Sequence, residues 1–270
     1  MYMYDVSPER ESYLRNKKKE GMKERICRIS FLIIFIILWE ISARLYIVDP
    51  FIVSSPSRIV KTIVSLARSG ELFYHTMVTT LEAMAGFFLG TFLGVLIATL
   101  LWWESFLNKV AEPYLVILNA LPKIALGPVF IVWLGSGPFA IIMIALTVSI
   151  VVSILEVLSG FMQTDKGMIK LVKSFGGRKK DVLLKVVFPS NIKNIFSSLK
   201  INMGMSWVGV VVGEFLISRA GLGYLIVYGS QVFKLDLVMA SVVILAFVAA
   251  VMYLIIEWSD RLLKKKSRHF

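Results

Sequence analysis

The chain has almost none of the residues that build disulfides or transition-metal sites. It contains one cysteine, Cys27, and two histidines, His75 and His269, among 270 residues. A single cysteine has no partner within the chain, and no spacing of cysteine and histidine resembles a zinc site. We therefore expect no structural metal, no metal ligands and no redox chemistry.

Charge is also scarce. Only 18% of the residues are charged, 57% are hydrophobic and the mean hydropathy is +0.76. This is more apolar surface than one or two water-soluble cores can bury, which excludes a soluble globular protein. The sequence predicts an all-α membrane protein with six transmembrane helices, at residues 29–48, 83–103, 114–134, 139–161, 195–217 and 237–258.

Acidic residues are the rarer charge, 18 against 30 lysines and arginines, which leaves a net charge of +12. Such a surplus can indicate nucleic-acid binding. Here the charges lie in blocks between apolar runs, which is typical of polytopic membrane proteins, so we expect no nucleic-acid partner. If both termini face the cytoplasm, 22 of the 30 basic residues lie on that side and five on the other. The positive-inside rule therefore predicts an N-in, C-in topology.

The sequence divides into three parts. Residues 1–28 form a cytoplasmic N-terminal tail, residues 29–260 the six-span domain, and residues 261–270 a basic cytoplasmic C-terminal tail. We interpret the first apolar stretch as an uncleaved helix, because its lead of 28 residues is long for a signal peptide. A large cytoplasmic loop, residues 163–193, separates spans four and five.

Two prolines, Pro122 and Pro128, interrupt the third span. Each removes a backbone donor, so the helix should break near mid-depth, and broken helices at that depth usually line a cavity. Lys123 lies at the break, where a buried ammonium costs about 2.5 to 3.5 kcal/mol unless something compensates it. It either lies on a pathway, or pairs with a carboxylate such as Glu214, or snorkels to the interface.

Small residues mark one face of two spans. On the second span they recur at four-residue intervals, at Gly86, Gly90 and Gly94, which predicts close helix packing. On the fifth span a face with Glu214 beside it carries Asn202, Ser206, Gly209 and Gly213. That face is suited equally to helix packing and to lining a pore.

The loop between spans four and five has the pattern of a docking surface. Its apolar residues recur at intervals of three or four, at Ile169, Val172, Phe175, Val182 and Val186. This period is typical of short amphipathic helices lying outside the bilayer. Such a helix with basic flanks suits a groove on a cytoplasmic partner or an anionic lipid surface, and the composition favours neither.

The loop also contains an ordered motif. Lys170-Leu171-Val172 precedes Gly176, and Val186-x-Phe188-Pro189 begins ten residues after that glycine. This order resembles the cytoplasmic motif of the permease subunits of ATP-binding-cassette (ABC) importers: Glu-Ala-Ala, three residues, Gly, nine residues, Ile-x-Leu-Pro. Lysine replaces the motif's glutamate here, which removes any salt bridge that the glutamate makes to an ATPase.

Further segments resemble the nitrate, sulfonate and taurine branch of these permeases, and they extend over most of the chain beyond the N-terminal tail. They are Ser-Pro-Ser at 55–57, Gly-Glu-Leu at 70–72, Leu-Pro-Lys at 121–123, Trp-Leu-Gly-Ser-Gly at 133–137, Gly-Glu at 213–214 and Gly-Leu-Gly-Tyr-Leu-Ile at 221–226. The ordered set is more specific than the loop motif alone.

The resemblance implies a multi-pass subunit of the bacterial plasma (inner) membrane that pairs with a second copy, binds two cytoplasmic ATPase subunits and receives its solute from an extracytoplasmic binding protein. It implies a coupling helix in the loop, with the residues Lys170, Leu171, Val172, Phe175, Gly176, Gly177, Val186, Phe188 and Pro189. We expect a translocation path at Asn119, Lys123, Asn202, Ser206 and Glu214. Glycines permit a tight re-entrant turn near an outer gate at Gly221, Gly223 and Tyr224, and a purely structural turn is the alternative.

No P-loop sequence G-x-x-x-x-G-K-[S/T] occurs, so we expect no catalytic site and no bound cofactor here, with ATP and Mg²⁺ held by the partner ATPase. A secondary carrier would need paired interrupted helices, whereas only one span is strongly interrupted. A membrane enzyme or receptor would need a nucleophile, an acid–base pair or a metal cluster on the spans. The resemblance favours alternating-access import of a small anion of the sulfonate, taurine or nitrate class, and a vitamin precursor such as a pyrimidine is the alternative.

Overall fold

Helices joined by short turns make up the described part of the protein. The structure is a computed structural model that describes residues 8–217 and 219–266, so residues 1–7 and 267–270 of the two predicted tails lie outside the described residues. In chain order the helices are α1 (Pro8–Arg44), α2 (Pro50–Val53), α3 (Pro56–Ser69), α4 (Glu71–Trp103), α5 (Ser105–Ala120), α6 (Gly127–Leu134), α7 (Pro138–Met162), α8 (Lys166–Ser174), α9 (Lys179–Val182), α10 (Phe188–Ser190), α11 (Ile192–Ile217), α12 (Leu222–Gln231) and α13 (Leu235–Lys266).

Among the described residues, five helical segments are long and apolar enough to cross a membrane: Lys19–Arg44, Glu71–Trp103, Pro138–Met162, Ile192–Ile217 and Leu235–Leu262. A sixth candidate is the pair formed by Ser105–Ala120 and Lys123–Leu134, which bends by 88°. The all-α class is therefore confirmed. The bent pair is either one broken span or a re-entrant segment, so the described residues contain five or six candidate spans.

The break in the third predicted span is present. Helix α5 ends at Ala120, Leu121 is extended, and a single 3₁₀ turn, Lys123–Leu126, leads into α6. Pro122 and Pro128 flank this turn, where their missing N–H groups break the helical hydrogen-bond ladder.

Several helices begin earlier than hydropathy predicts. Helix α1 extends back to Pro8, so residues 8–28 of the predicted tail continue the first spanning helix. Helix α4 begins at Glu71 rather than at residue 83, and α5 begins at Ser105 rather than at residue 114. Hydropathy detects only the lipid-compatible part of a helix, whereas polar residues remain helical wherever water or a buried partner satisfies them.

Helices α4, α7 and α11 pack closely around small residues. Gly86 of α4 and Gly209 of α11 both contact Ala145 of α7, while Gly90 and Gly94 contact Ser149 and Ser153 on the same helix. These contacts confirm the predicted packing role of the second span. A Cβ atom on Gly209 would lie 2.5 Å from the Ala145 Cα, so the two backbones are in direct contact there.

The small face of the fifth span is also a packing face in this structure. Asn202 and Ser206 are fully buried, and the Ser206 hydroxyl donates to the Ala83 backbone oxygen at 2.7 Å. Gly213 lies against Ile141 of α7. From the sequence, this face was suited equally to helix packing and to lining a pore. In this conformation it packs against α4 and α7.

Two groups of short helices lie at opposite ends of the bundle. One end, called the α8 end, holds α8, α9 and α10; the other, called the α12 end, holds α2, α3 and α12. A partly buried ion pair between Lys200 and Asp260, 3.0 Å apart, ties α11 to α13 toward the α8 end. At the α12 end the Arg58 guanidinium lies 2.7 Å from Asp236 and connects α3 to α13.

We expect Gly209→Ala to destabilise the protein, because the added methyl group must separate α11 from α7. Overpacking of this kind costs about 1 to 3 kcal/mol. The matched control is Gly204→Ala on the same helix, since an added Cβ there meets nothing within 4 Å. Thermal unfolding of the two variants in one detergent measures the difference. Equal melting temperatures would contradict the close packing of α7 and α11.

Candidate functional site

Helix α8 is the predicted amphipathic helix of the large loop. It begins after Asp165, whose carboxylate accepts the Gly167 N–H at 2.7 Å, as expected of an N-cap residue. It ends at Ser174, and Gly176 takes a left-handed φ of +79° that reverses the chain. That conformation favours glycine, which explains the residue at the centre of the motif.

The two faces of α8 differ in exposure. Ile169 and Val172 pack inward against a buried apolar cluster that includes Phe161, Val182 and Val187. On the other side an exposed surface consists of Met168, Leu171 and Phe175, and Phe175 is 83% exposed. We call these three residues the α8 apolar surface. An apolar patch on a rigid base is typical of a docking site.

The chain after the turn is held by local charge pairs. The Asp181 carboxylate accepts the Arg178 N–H at 3.0 Å and lies 3.2 Å from the Lys185 ammonium. This hydrogen bond from Arg178, together with Lys185, holds the pKa of Asp181 below its ordinary value. Asp181 therefore stays ionised and caps α9 at neutral pH.

Lys179 connects this loop to the end of α4. Its ammonium donates to the Trp103 backbone oxygen and lies 5.5 Å from the centre of the Trp103 ring. The last carbonyl groups of a helix attract cations, and a tryptophan face adds to that attraction. The α8 loop is thus attached to a membrane helix at this point.

The residues at the end of the motif support α8 from within the bundle and do not belong to the α8 apolar surface. Val186 is buried in a π-helical segment, Leu183–Val187, and the Phe188 ring packs edge-on against Phe161 with centroids 5.2 Å apart. Of the predicted coupling residues, Lys170, Leu171, Phe175, Gly176 and Pro189 are exposed, while Val172, Gly177 and Phe188 are half-buried. The structure therefore divides the predicted set into contact residues and supporting residues.

At the other end of the bundle, three side chains cap the start of α12. The Gly221 N–H donates to His75 Nδ1 at 3.0 Å, the Leu222 N–H to Thr79 Oγ1 at 2.7 Å, and the Gly223 N–H to Glu214 Oε2 at 2.5 Å. We call His75, Thr79 and Glu214 the α12 cap. The first N–H groups of a helix have no partner within it, and these acceptors from α4 and α11 satisfy them.

Only Gly221 makes the predicted turn, with φ of +104°, while Gly223 lies in the first turn of α12. The tight re-entrant turn expected over this segment is therefore a helix preceded by one left-handed residue. A Cβ on Gly221 would fall on the Glu214 carboxylate, and a Cβ on Gly223 would lie 2.6 Å from Glu214 Oε2. Both glycines are needed because the carboxylate lies directly against the backbone.

Beside the cap lies a polar cavity of about 540 Å³. The Tyr224 ring, half-buried, stacks on the His75 ring with centroids 5.8 Å apart, and Tyr228 stacks on Tyr224. The ionisable residues along this cavity are Glu71, His75, Arg219, Tyr224, Tyr228 and Lys234. The predicted gate residue Tyr224 thus lies between the cap and an open polar space.

The predicted path residues do not share one surface. Asn119 is exposed and Lys123 partly so, with the Lys123 ammonium donating to the Asn119 backbone oxygen at 3.2 Å. Asn202, Ser206 and Glu214 are buried within the chain. The pairing of Lys123 with Glu214 that the sequence allowed is absent from this conformation, since Glu214 is engaged by Thr79 and Gly223. In this conformation, Asn119 and Lys123 are the predicted path residues that reach the surface of the chain.

Sequence reasoning assigned no role to His75, Thr79 or Glu82, although a signal exists. Their spacing of four and three residues places them on one side of α4. Polar residues on one side of a membrane helix usually face the bundle interior.

Residues 90–269 match the family described as the binding-protein-dependent transport system inner membrane component. The chain belongs to this family. It is therefore an ABC transporter permease and a multi-pass membrane protein. The match covers α8, its turn and α12, whereas α2 and α3 of the α12 end lie before the matched residues.

Among similar proteins, the putative aliphatic sulfonates transport permease protein of Bacillus subtilis is 29% identical over 86% of this chain and 85% of its own length. The formylaminopyrimidine transport permease protein of Halalkalibacterium halodurans is 28% identical over 72% of this permease and 77% of itself. The inward-facing structure of the MetNI methionine ABC transporter covers 70% of this chain and 93% of its own at a TM-score of 0.59, with 18% identity. The last of these supports the fold alone.

Proposed function

We propose that this permease forms, with a second copy, the alternating-access path of an ABC importer. Two ATPase subunits dock at the α8 end, and an extracytoplasmic binding protein delivers the solute at the α12 end. The observation that carries this proposal is the α8 apolar surface, which is exposed while the opposite face of the same helix is packed into the bundle. ATP and Mg²⁺ belong to the ATPase, and this chain supplies no catalytic group.

The attachment of α8 supports docking of a protein partner. Val172 packs against the cluster that includes Phe161 of α7, and Lys179 contacts Trp103 of α4. A movement imposed on α8 therefore reaches α7 directly and α4 through Lys179 at the start of α9. A helix lying in a groove of each ATPase can use this arrangement, because closure of the ATPase pair displaces the helix as a body.

The topology follows from the same assignment, with the α8 end and both termini in the cytoplasm. Cys27 is the only cysteine, so a Cys27→Ser chain is a clean background for labelling. We expect Lys170→Cys to react with a membrane-impermeant maleimide only in inside-out vesicles. Gln231→Cys at the end of α12 should react only in right-side-out vesicles. The reverse labelling pattern would place the α8 end outside the cytoplasm, where no ATPase could dock, and would contradict the proposal.

For the solute we propose a small anion of the sulfonate, taurine or nitrate class. Lys123 supports this, because its partly exposed ammonium lies at the break of the third span beside Asn119 and forms no salt bridge among the described residues. The relative that transports aliphatic sulfonates points to the same class. The formylaminopyrimidine relative supports a second candidate, a neutral or cationic vitamin precursor.

The test is the ATPase activity of the complex reconstituted in vesicles, with its ATPase and a binding protein loaded with sulfonates, nitrate or pyrimidine precursors in turn. Stimulation by one loaded binding protein supports the importer and identifies the solute class. Lys123→Met should then lower uptake of an anion while Lys123→Arg retains it. Failure of a folded permease to bind any ATPase would contradict the proposal.

A further inference from the structure

Two buried carboxyl groups lie close together at the α12 cap, one of them that of the cap residue Glu214. Glu82 on α4 is 5% exposed and Glu214 on α11 is 1% exposed. Glu214 accepts a hydrogen bond from Thr79, which lies one helical turn before Glu82 on α4, so the two carboxyl groups lie beside each other. Glu214 belongs to the cap, whereas Glu82 has no part in the function proposed above. The question is how two acidic groups share one site in the interior of a membrane protein.

The hydrogen-bond donors around the pair are already used. Glu214 Oε1 accepts the Thr79 hydroxyl at 2.7 Å, and Oε2 accepts the Gly223 N–H. Glu82 Oε2 is fully buried and has no hydrogen-bond partner in the described part of the chain. The salt bridges formed by residues 8–217 and 219–266 include neither Glu82 nor Glu214.

Two ionised carboxylates in this position would repel each other without the water that normally solvates them. A single proton between them turns that repulsion into a charge-assisted O–H···O hydrogen bond, as in pairs of catalytic aspartates that share one proton. It also supplies the donor that the buried Glu82 carboxyl lacks. We propose that Glu82 and Glu214 together bind one proton, and that this proton keeps α12 capped.

The other titratable groups near the pair are His75 on α4, which accepts the Gly221 N–H, and Tyr224 on α12, which stacks on His75. Arg219 lies along the neighbouring polar cavity. Helices α7 and α13 face this part of the core with uncharged residues such as Ile141 and Leu245. Loss of the proton would therefore leave two negative charges that form no salt bridge with any of the residues that the structure describes.

The consequence concerns the position of α12. Glu214 holds Gly223 directly and Leu222 through Thr79, so repulsion from Glu82 acts on the first turn of that helix. Release of this turn opens the contact between α12 and α4. If α12 acts at the outer gate, which rests on the proposed function, the pair makes that gate sensitive to pH on its own side of the membrane.

Infrared spectroscopy of the full-length permease in lipid nanodiscs tests the shared proton without any transport assay. We expect the carbonyl band of a protonated carboxylic acid at neutral pH, lost reversibly as the pH is raised. Glu82→Gln should abolish this band, because its amide donates to Glu214 and leaves no need for a proton. Glu104→Gln, which removes an exposed carboxylate, is the matched control and should keep the band.

Hydrogen–deuterium exchange at Leu222 and Gly223 provides a second measurement. In the wild type we expect the exchange rate of these two amides to increase with pH more steeply than the exchange rate of the α7 amides. In Glu82→Gln both sets of amides should show the same dependence on pH. Wild-type protein with no protonated-acid band, as expected of two carboxylates holding a cation, would overturn the proposal. So would a band that survives in Glu82→Gln. Neither result depends on whether the permease imports a solute.

Discussion

Phe175→Ser is expected to abolish ATP-driven uptake while leaving the folded permease intact. Phe175 is 83% exposed at the end of α8, so its replacement removes almost no packing within this chain. Burial of a phenylalanine side chain in a partner's groove contributes about 1.5 to 3 kcal/mol. Truncation of such a central contact residue commonly costs 2 kcal/mol or more, which corresponds to about 30-fold weaker association with the ATPase.

Two measurements separate docking from folding in this variant. Co-purification with the ATPase should fall sharply, while the melting temperature of the isolated permease should stay unchanged. Phe175→Met keeps an apolar side chain and should retain association. Leu184→Ser, at an exposed leucine outside the α8 apolar surface, tests whether any loss of exposed apolar area has the same effect. Full uptake by Phe175→Ser would exclude this residue from the coupling contact.

Gly221→Ala is expected to have the largest effect on stability. The backbone conformation of Gly221, with φ of +104° and ψ of 168°, costs a residue with a Cβ about 1 to 3 kcal/mol, and overpacking adds about 1 to 3 kcal/mol. Gly221 incurs both costs, because its φ is +104° and its Cβ would fall on the Glu214 carboxylate. The carboxylate must then move, so the bond to the Gly223 N–H is lost as well. We expect a loss of about 2 to 6 kcal/mol on these two grounds.

Gly135→Ala is the matched control for that substitution. Gly135 has a φ of +79° and a ψ of 173°, close to the backbone conformation of Gly221, but an added Cβ there meets nothing within 4 Å, so only the backbone term applies. Thermal unfolding of both variants in the same nanodiscs isolates the contribution of the crowded carboxylate. Equal melting temperatures for the Gly221→Ala and Gly135→Ala permeases would show that Glu214 does not hold the start of α12.

Local sequence rules were sufficient where the decisive contacts lie within one helix or turn. The proline pair predicted the break after Ala120, and the apolar period predicted α8 with its turn at Gly176. They were insufficient where a polar segment is stabilised from a distance. Residues 71–82 are helical because His75 and Thr79 are engaged by the start of α12, more than 140 residues later in the chain.

The fifth span illustrates the same limit. Asn202 and Ser206 are polar residues in an apolar helix, which is equally consistent with a pore and with an interface. Only the position of α4 decides between them, because Ser206 donates to a backbone oxygen of that helix. The predicted coupling residues show the same limit of sequence patterns. Val186 and Phe175 belong to one motif, yet only Phe175 is exposed.

By itself the sequence determined the class of protein, the approximate spans, the broken helix and the loop that resembles a coupling helix. These follow from composition and from periods of a few residues, which depend on local geometry and on transfer from water to lipid. The tertiary structure alone decided which face of α8 is exposed, which glycines are crowded and that Glu82 meets Glu214. Such contacts join residues far apart in the chain, and they arise from how the helices pack.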